Sequence, residues 1–156
     1  SSDLHSLMSP PSGALAQALS RWCREAGVPM QVAEAAALMV DELLANTVMH
    51  GYRGDPAGWI EVEARVVDAS LEVVLRDRAP AFDPRCEPLP DTTLPVEQRR
   101  IGGLGLLFVR KMADVLDYRR VPDAPGGAMN EVRLVKTFGG GHPASDAAVQ
   151  PRPAGG

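Results

Sequence analysis

The chain has 156 residues, the length of one compact domain, so a single folded unit is expected. It carries 16 Lys and Arg residues against 20 Asp and Glu residues, and the net charge of −4 without a basic block makes it a poor candidate for binding the phosphate backbone of a nucleic acid. Hydrophobic residues make up 45% of the chain and aromatic residues only 4%, which predicts an aliphatic core and excludes disorder throughout.

Composition also predicts a cytoplasmic protein with no membrane partner. No apolar run reaches the roughly 18–20 residues that a membrane-spanning helix needs. Residues 1–5 do not begin a basic region followed by an apolar one, so no signal peptide is expected. Cys23 and Cys86 form no Cys-x-x-Cys pair, so we expect two reduced thiols rather than a disulfide or a metal site.

Two helices are predicted first. Over 12–26 apolar residues recur at helical spacing, and Gly27 ends the helix. Pro29 opens a longer helix over 30–50, with Gly51 as its C-cap.

Strands and a loop follow. Alternating apolar and polar residues over 59–66 and an apolar run over 71–77 predict an antiparallel hairpin around a turn at 68–70. A weaker pattern over 3–8 predicts an edge strand. Residues 81–100 hold several prolines without periodicity, and a loop of this length is usually functional, typically a lid.

The remaining elements complete one folded domain over 1–138. A third helix is predicted from the glycines at 102–105 to about residue 116, followed by strands over 118–121 and 128–137 around a turn at 123–127. This order predicts an α/β (α+β) two-layer sandwich, with a mixed, mostly antiparallel sheet and helices on one face. Residues 139–156 are rich in Gly and Pro and are predicted to form a flexible tail.

The second helix carries the first candidate site residues. Glu42 and Asn46 are four residues apart and therefore point from the same helix face, and His50 continues that stripe. A carboxylate there can accept a proton, and an amide oxygen can bind a hard cation such as Mg²⁺. The alternative is an ordinary solvated helix face.

Two further features stand at the ends of predicted elements. Asp77 ends a strand, where its carboxylate could accept a hydrogen bond from an exocyclic amine such as that of adenine. The run Gly102, Gly103, Leu104 and Gly105 begins a helix, where free N–H groups and the helix dipole favour phosphate. The alternatives are an ordinary strand-to-turn junction and an ordinary helix start, and no Walker A motif is present.

The order of these features closely resembles the GHKL (Bergerat) ATP-binding fold. Glu-Leu-x-x-Asn within 40–52, Asp-x-x-Pro-x-Phe-Asp at 77–83 and Gly-Gly-Leu-Gly-Leu opening 102–114 carry the resemblance, which spans about 12–136. Within that superfamily the chain is most similar to the bacterial serine kinases that act as anti-sigma factors, the RsbW/SpoIIAB type.

The resemblance implies a role for each candidate residue. Asn46 would bind the Mg²⁺ that bridges the ATP phosphates, Asp77 would hold the adenine amine, and Glu42 would be the catalytic general base. The backbone of 102–105 would cradle phosphate, and Arg100 or its neighbour Arg99 would neutralise charge on the γ-phosphate.

Two positions depart from the family pattern. Ala79 stands where the family usually has Gly, so a turn that requires a positive φ would be strained there. The threonine that helps the family bind adenine through water is missing near the last strand, and Asn130 is the candidate substitute.

By resemblance, the chain is expected to be an ATP-dependent protein serine kinase. Its substrate would be a serine of a STAS-type anti-anti-sigma protein, a sigma factor or another regulated protein would compete as partner, and the chain could pair as a homodimer. The alternative is a regulatory module that binds ATP and sequesters a partner without transferring phosphate. A histidine-kinase catalytic domain is disfavoured, because His5, His50 and His142 do not lie on a predicted dimerising helix.

Overall fold

A computed structural model describes residues 4–7, 13–54, 58–86 and 103–139. In chain order the elements are β1 (Leu4–Leu7), α1 (Ala14–Glu25), α2 (Met30–Asn46), a π-helical turn (Thr47–Gly51), β2 (Ile60–Val67), β3 (Ser70–Asp77), α3 (Gly103–Met112), β4 (Val115–Asp123) and β5 (Gly127–Thr137). Among these residues, no helix has the length and apolar character needed to cross a membrane.

The strands form one sheet in the order β1-β2-β3-β5-β4, and each pair of neighbours in that order is antiparallel. Both predicted hairpins are present, as β2–β3 and β4–β5, and the predicted edge strand is β1, paired with β2. The predicted α+β two-layer fold is therefore confirmed.

The core lies between one face of this sheet and the helices. Along β2 and β3 the buried side chains alternate with partly exposed ones, so every second residue faces the helices. The buried aliphatic set on the two strands is Ile60, Val62, Ala64, Leu71, Val73 and Leu75, and the helices pack Leu19, Ala36, Met39, Val40, Leu43 and Val109 against it. This packing matches the aliphatic core that the composition predicts.

Two predicted helix ends are wrong. The third helix ends at Met112, not near residue 116, because the next residues join the sheet: the Asp114 N–H donates to the Val135 carbonyl at 2.9 Å, and β4 begins at Val115. Gly51 is not the C-cap predicted for the second helix, because it belongs to the π turn Thr47–Gly51, whose C-cap is Tyr52.

The face of the sheet that lies opposite the helices carries a network of paired charges. Arg76 on β3 donates to Glu61 at 2.6 Å, to Glu63 at 2.9 Å and to Glu131 at 2.8 Å. Burial alone would raise the pKa of Glu131, but the bonds from Arg119 and Arg76 hold that pKa below its ordinary value. Ionised Glu131 therefore stabilises the fold.

Replacing Arg76 by Met leaves three neighbouring carboxylates without their shared cation. We expect Arg76→Met to lower the free energy of unfolding at pH 7 by about 1–3 kcal/mol, as for lost hydrogen bonds to charged groups. The stability from Glu131 is present above the carboxyl's ordinary pKa of 4.5 and is lost as the pH falls through its lower folded value. The difference between wild type and variant should therefore shrink at acidic pH, as measured by urea unfolding at several pH values.

Arg65→Met is the matched control, because Arg65 pairs with Glu72 on the same face but its side chain is 50% exposed. We expect its cost to stay below about 1 kcal/mol, as for exposed ion pairs. Equal costs for the two variants, or a cost for Arg76→Met that does not depend on pH, would contradict the role assigned to Arg76.

Candidate functional site

The first part of the site lies at the C-terminal end of α2. Asn46 is 8% exposed, and its side-chain nitrogen donates to the Glu42 carbonyl at 2.9 Å. Met39 and Leu43 of the same helix are buried in the core, while the Glu42 side chain is partly exposed. The bond to the Glu42 carbonyl engages the nitrogen of the Asn46 amide and not its oxygen, which is the atom suited to a hard cation.

The Glu42 carboxylate packs against the beginning of α3. A Cβ atom added to Gly105 would lie 2.8 Å from the carboxyl carbon of Glu42, and it would overlap one carboxylate oxygen still more closely. Only glycine leaves room for this contact at position 105. The acidic group of α2 and the glycine-rich start of α3 therefore come together, although they are far apart in the sequence.

Asp77 forms the second part of the site, at the end of β3. Asp77 lies opposite Ile60 on the neighbouring strand β2 and opposite Asn130 on the neighbouring strand β5. Its exposed fraction is 8%. Its Oδ1 atom accepts hydrogen bonds from the Ala79 N–H at 3.0 Å and from the Asn130 amide at 2.8 Å. The carboxylate is therefore held in one orientation.

Burial dominates the electrostatics of Asp77. Removal from water raises the pKa of the Asp77 carboxyl above its ordinary value, while hydrogen bonds from Asn130, Ala79 and Thr47 and the charge of Arg120 act in the opposite direction. A buried carboxylate of this kind gains stability from a further hydrogen-bond donor, such as a ligand amine.

The turn after Asp77 avoids the strain that a positive φ would cause at Ala79. Ala79 does not adopt a positive φ, so the expectation of strain is wrong. The residue that needs to be glycine is instead Gly51, which packs against Ala79. A Cβ atom added to Gly51 would lie 2.7 Å from the Ala79 Cβ. Gly51 in the π turn thus makes room for the methyl group of Ala79, which is 3% exposed.

Thr47 joins the two parts of the site. Its hydroxyl lies 3.1 Å from the Leu43 carbonyl of α2 and 3.4 Å from Asp77 Oδ2. A π-helical turn begins at Thr47, and such turns often occur at functional sites. The Thr47 side chain therefore connects α2, which carries Glu42 and Asn46, to the end of strand β3.

The structure places the other candidates as follows. Gly103 and Leu104 begin α3, and Gly105 follows them in its first turn. Gly102, Arg99 and Arg100 lie outside the described residues, as does most of the predicted lid.

Sequence reasoning missed Thr47, Tyr118 and Arg120. On β4, Tyr118 and Arg120 face Val132 and Asn130, and both donate to the Asn130 side-chain oxygen. The pairing of Arg120 with Asn130 could have been predicted from the hairpin turn at 123–127, because counting outward from the turn on both strands brings these two residues opposite each other. Thr47 had a weaker signal, namely a hydroxyl directly after Asn46.

Comparison with known proteins identifies relatives that are named serine-protein kinases and an anti-sigma factor. The chain is 31% identical over 100 residues to the serine-protein kinase RsbW of Listeria monocytogenes, and 28% identical over 102 residues to the RsbW of Oceanobacillus iheyensis. A shorter match of 39 residues, at 38% identity, links it to the anti-sigma F factor of Shouchella clausii, covering 25% of this chain and 27% of that protein.

These matches cover part of each protein. The two RsbW alignments span 62% of this chain, and they cover 64% of the Listeria kinase and 63% of the Oceanobacillus kinase. The chain therefore matches less than two thirds of the length of these relatives. A family model for the histidine kinase-like ATPase domain matches residues 12–136, which is most of the chain and includes every described site residue. The chain belongs to the histidine kinase-like ATPase domain family.

Proposed function

We propose that the protein is an ATP-dependent serine kinase and anti-sigma factor of a partner-switching system. Its substrate is a serine of a STAS-type anti-anti-sigma protein, and a sigma factor or another regulated protein is the competing partner. The observation that carries this proposal is the contact between the Glu42 carboxylate and Gly105. It puts a proton acceptor beside a helix N-terminus that favours phosphate.

The residues present fit a nucleotide with its magnesium ion. Asp77 is a buried carboxylate, and it would accept a hydrogen bond from the adenine amine. The Asn46 amide oxygen is the hard ligand that would hold Mg²⁺, and the N–H groups at the start of α3, with Arg100 or Arg99 from the preceding segment, would hold phosphate oxygens. When bound, the ion neutralises negative charge on the phosphates and orients them.

Phosphoryl transfer then requires one proton acceptor from the chain. Glu42 takes the proton from the substrate serine hydroxyl while the serine oxygen forms a bond to the γ-phosphorus. The bond from that phosphorus to the bridging oxygen breaks, and ADP leaves with the electron pair. The chain contributes position and charge neutralisation rather than covalent chemistry, as in other kinases.

The names of the relatives support the choice of partners. RsbW is named a serine-protein kinase and the Shouchella protein an anti-sigma factor. A chain that holds one partner and phosphorylates another can exchange them according to phosphorylation state. A module that binds ATP and a partner without transferring phosphate is the competing function, and the Glu42 variant below separates the two.

Glu42→Gln keeps the shape of the side chain and removes its ability to accept a proton. General-base contributions are typically about 10²–10⁴-fold, so the rate of partner phosphorylation should fall by that order. ATP affinity should remain within a few-fold. The measurement is mass spectrometry of the partner serine over time, with a calorimetric titration of ATP for each variant.

Glu34→Gln is the matched control, because Glu34 is an exposed carboxylate on the same helix. It should phosphorylate the partner at the wild-type rate. A partner labelled equally by Glu42→Gln would remove Glu42 as the base, and a partner left unlabelled by the wild type, but still bound, would favour the module without transfer.

Gly105→Ala tests the contact between the two helices. The added methyl overlaps the Glu42 carboxylate, which lies at the end of a flexible side chain and should therefore move away. We expect Gly105→Ala in the wild-type background to lower the rate of phosphoryl transfer at saturating ATP by at least about 10-fold. In the Glu42→Gln background the same substitution should lower that rate by much less. Equal losses in both backgrounds would show that Gly105 acts without Glu42.

Asn46→Ala removes the amide ligand. ATP binding in the presence of Mg²⁺ should weaken by roughly 1–3 kcal/mol, the range for a lost contact to a charged group. Binding in EDTA should be weak for both proteins and should differ little between them. Calorimetry that gives wild type the same ATP affinity with EDTA and with Mg²⁺ would contradict this assignment of the metal site.

A further inference from the structure

The two oxygens of Asp77 have different surroundings. Oδ1 accepts hydrogen bonds from the Ala79 N–H at 3.0 Å and from the Asn130 amide at 2.8 Å. Oδ2 faces the Thr47 hydroxyl at 3.4 Å, which is near the outer limit of a hydrogen bond. Oδ2 is therefore the oxygen that has capacity for a ligand donor, and Thr47 is its neighbour.

Asn130 has no such capacity. The residue is 3% exposed, and its amide nitrogen, with two hydrogens, lies within bonding distance of three acceptors: Asp77 Oδ1 and the carbonyls of Ala79 and Pro80. Its oxygen, with two lone pairs, accepts from three donors: the Phe82 N–H, the Tyr118 hydroxyl and the Arg120 guanidinium. All polar atoms of Asn130 are engaged inside the protein, so its role is to position Asp77.

Thr47, by contrast, can redirect its hydroxyl. The Leu43 carbonyl that lies 3.1 Å from this hydroxyl also accepts the backbone N–H of Thr47, so that carbonyl keeps a partner if the hydroxyl turns away. The side chain is partly exposed. Its hydroxyl hydrogen can therefore point toward a ligand that sits against Asp77 Oδ2.

Together, Asp77 Oδ2 and the Thr47 hydroxyl offer an acceptor beside a donor. Adenine presents the complementary pair on its Watson–Crick edge, where the exocyclic amine donates and the ring nitrogen N1 accepts. Guanine presents the opposite order, with a carbonyl facing the carboxylate. A site that uses such polar pairs rejects a ligand that leaves them unpaired.

We propose that Thr47 is a specificity-determining residue of the nucleotide site, whose hydroxyl donates to adenine N1, directly or through one water molecule, while Asp77 accepts from the amine. The inference deepens the proposed function and rests on its assignment of ATP as the nucleotide. It gives the recognition of N1 to the first residue of the π turn that follows α2, and it leaves Asn130 to hold the carboxylate.

The test removes the Thr47 hydroxyl from the protein and the ring nitrogen N1 from the nucleotide, first separately and then together. Calorimetric titrations compare ATP with 1-deaza-ATP, in which a C–H group replaces N1 and the amine is kept, on wild type and on Thr47→Val. A neutral hydrogen bond corresponds to about 3- to 10-fold in affinity. Wild type should bind 1-deaza-ATP weaker than ATP by that factor, and Thr47→Val should lose the same factor for ATP with no further loss for 1-deaza-ATP.

Two variants serve as controls. Thr47→Ser keeps the hydroxyl and should retain the wild-type ratio of the two affinities. Thr137→Val makes the same substitution on β5 at the opposite end of the strand from Asn130, where the Thr137 hydroxyl donates to Asp114. It should bind both nucleotides as wild type does. Thr47→Ala gives a second version of the test should valine destabilise the π turn.

The outcomes separate this inference from the proposed function. A wild-type protein that binds ATP, with the same ratio of affinities in Thr47→Val and Thr47→Ala as in wild type, would overturn the role of Thr47 and leave the kinase proposal standing. A wild-type protein that does not bind ATP would overturn both. Loss of the ratio in Thr47→Val with its retention in Thr47→Ser would support the inference.

Discussion

The hydrogen bond from the Asn130 amide to Asp77 is the interaction on which the rest of the site depends. It joins the ends of the two adjacent strands β3 and β5 at 2.8 Å, with both side chains buried. The same amide bonds the carbonyls that follow Asp77, so the turn and the carboxylate are fixed by one group. Because unpaired buried polar groups are costly, these bonds favour a single arrangement of the turn. The carboxylate that we propose recognises the base is therefore held in one orientation by the protein itself.

Two glycines complete the site by making room for a neighbour's side chain. Gly51 accommodates the methyl group of Ala79, and Gly105 accommodates the carboxylate of Glu42. Neither glycine has a positive φ, so conformational freedom is not the reason for either one. A glycine at the start of a helix is usually explained by phosphate approach, but at Gly105 the absent Cβ also determines where the candidate base lies.

Much of this arrangement could be predicted from the sequence. Helical spacing alone put Glu42 and Asn46 on one face. The alternation over 59–66, the apolar run over 71–77 and the turn between them gave the first hairpin and hence the position of Asp77 at a strand end. The contact between Glu42 and Gly105 could not be predicted, because it depends on how two helices pack. The early end of α3 at Met112 was missed for a similar reason, since residues of helical pattern were drawn into pairing with β5.

The two faces of the sheet use charge in opposite ways. On the face away from the helices, Arg76 pairs directly with three carboxylates. On the helix-covered face, the hydrogen-bond donors to Asp77 are neutral, and Arg120 donates to Asn130 and the Ala79 carbonyl. Neutral donors stabilise a carboxylate less than a direct guanidinium contact does, so Asp77 keeps the capacity to accept a further hydrogen bond. A direct ion pair at this position would compete with the amine of the base that we propose Asp77 accepts from.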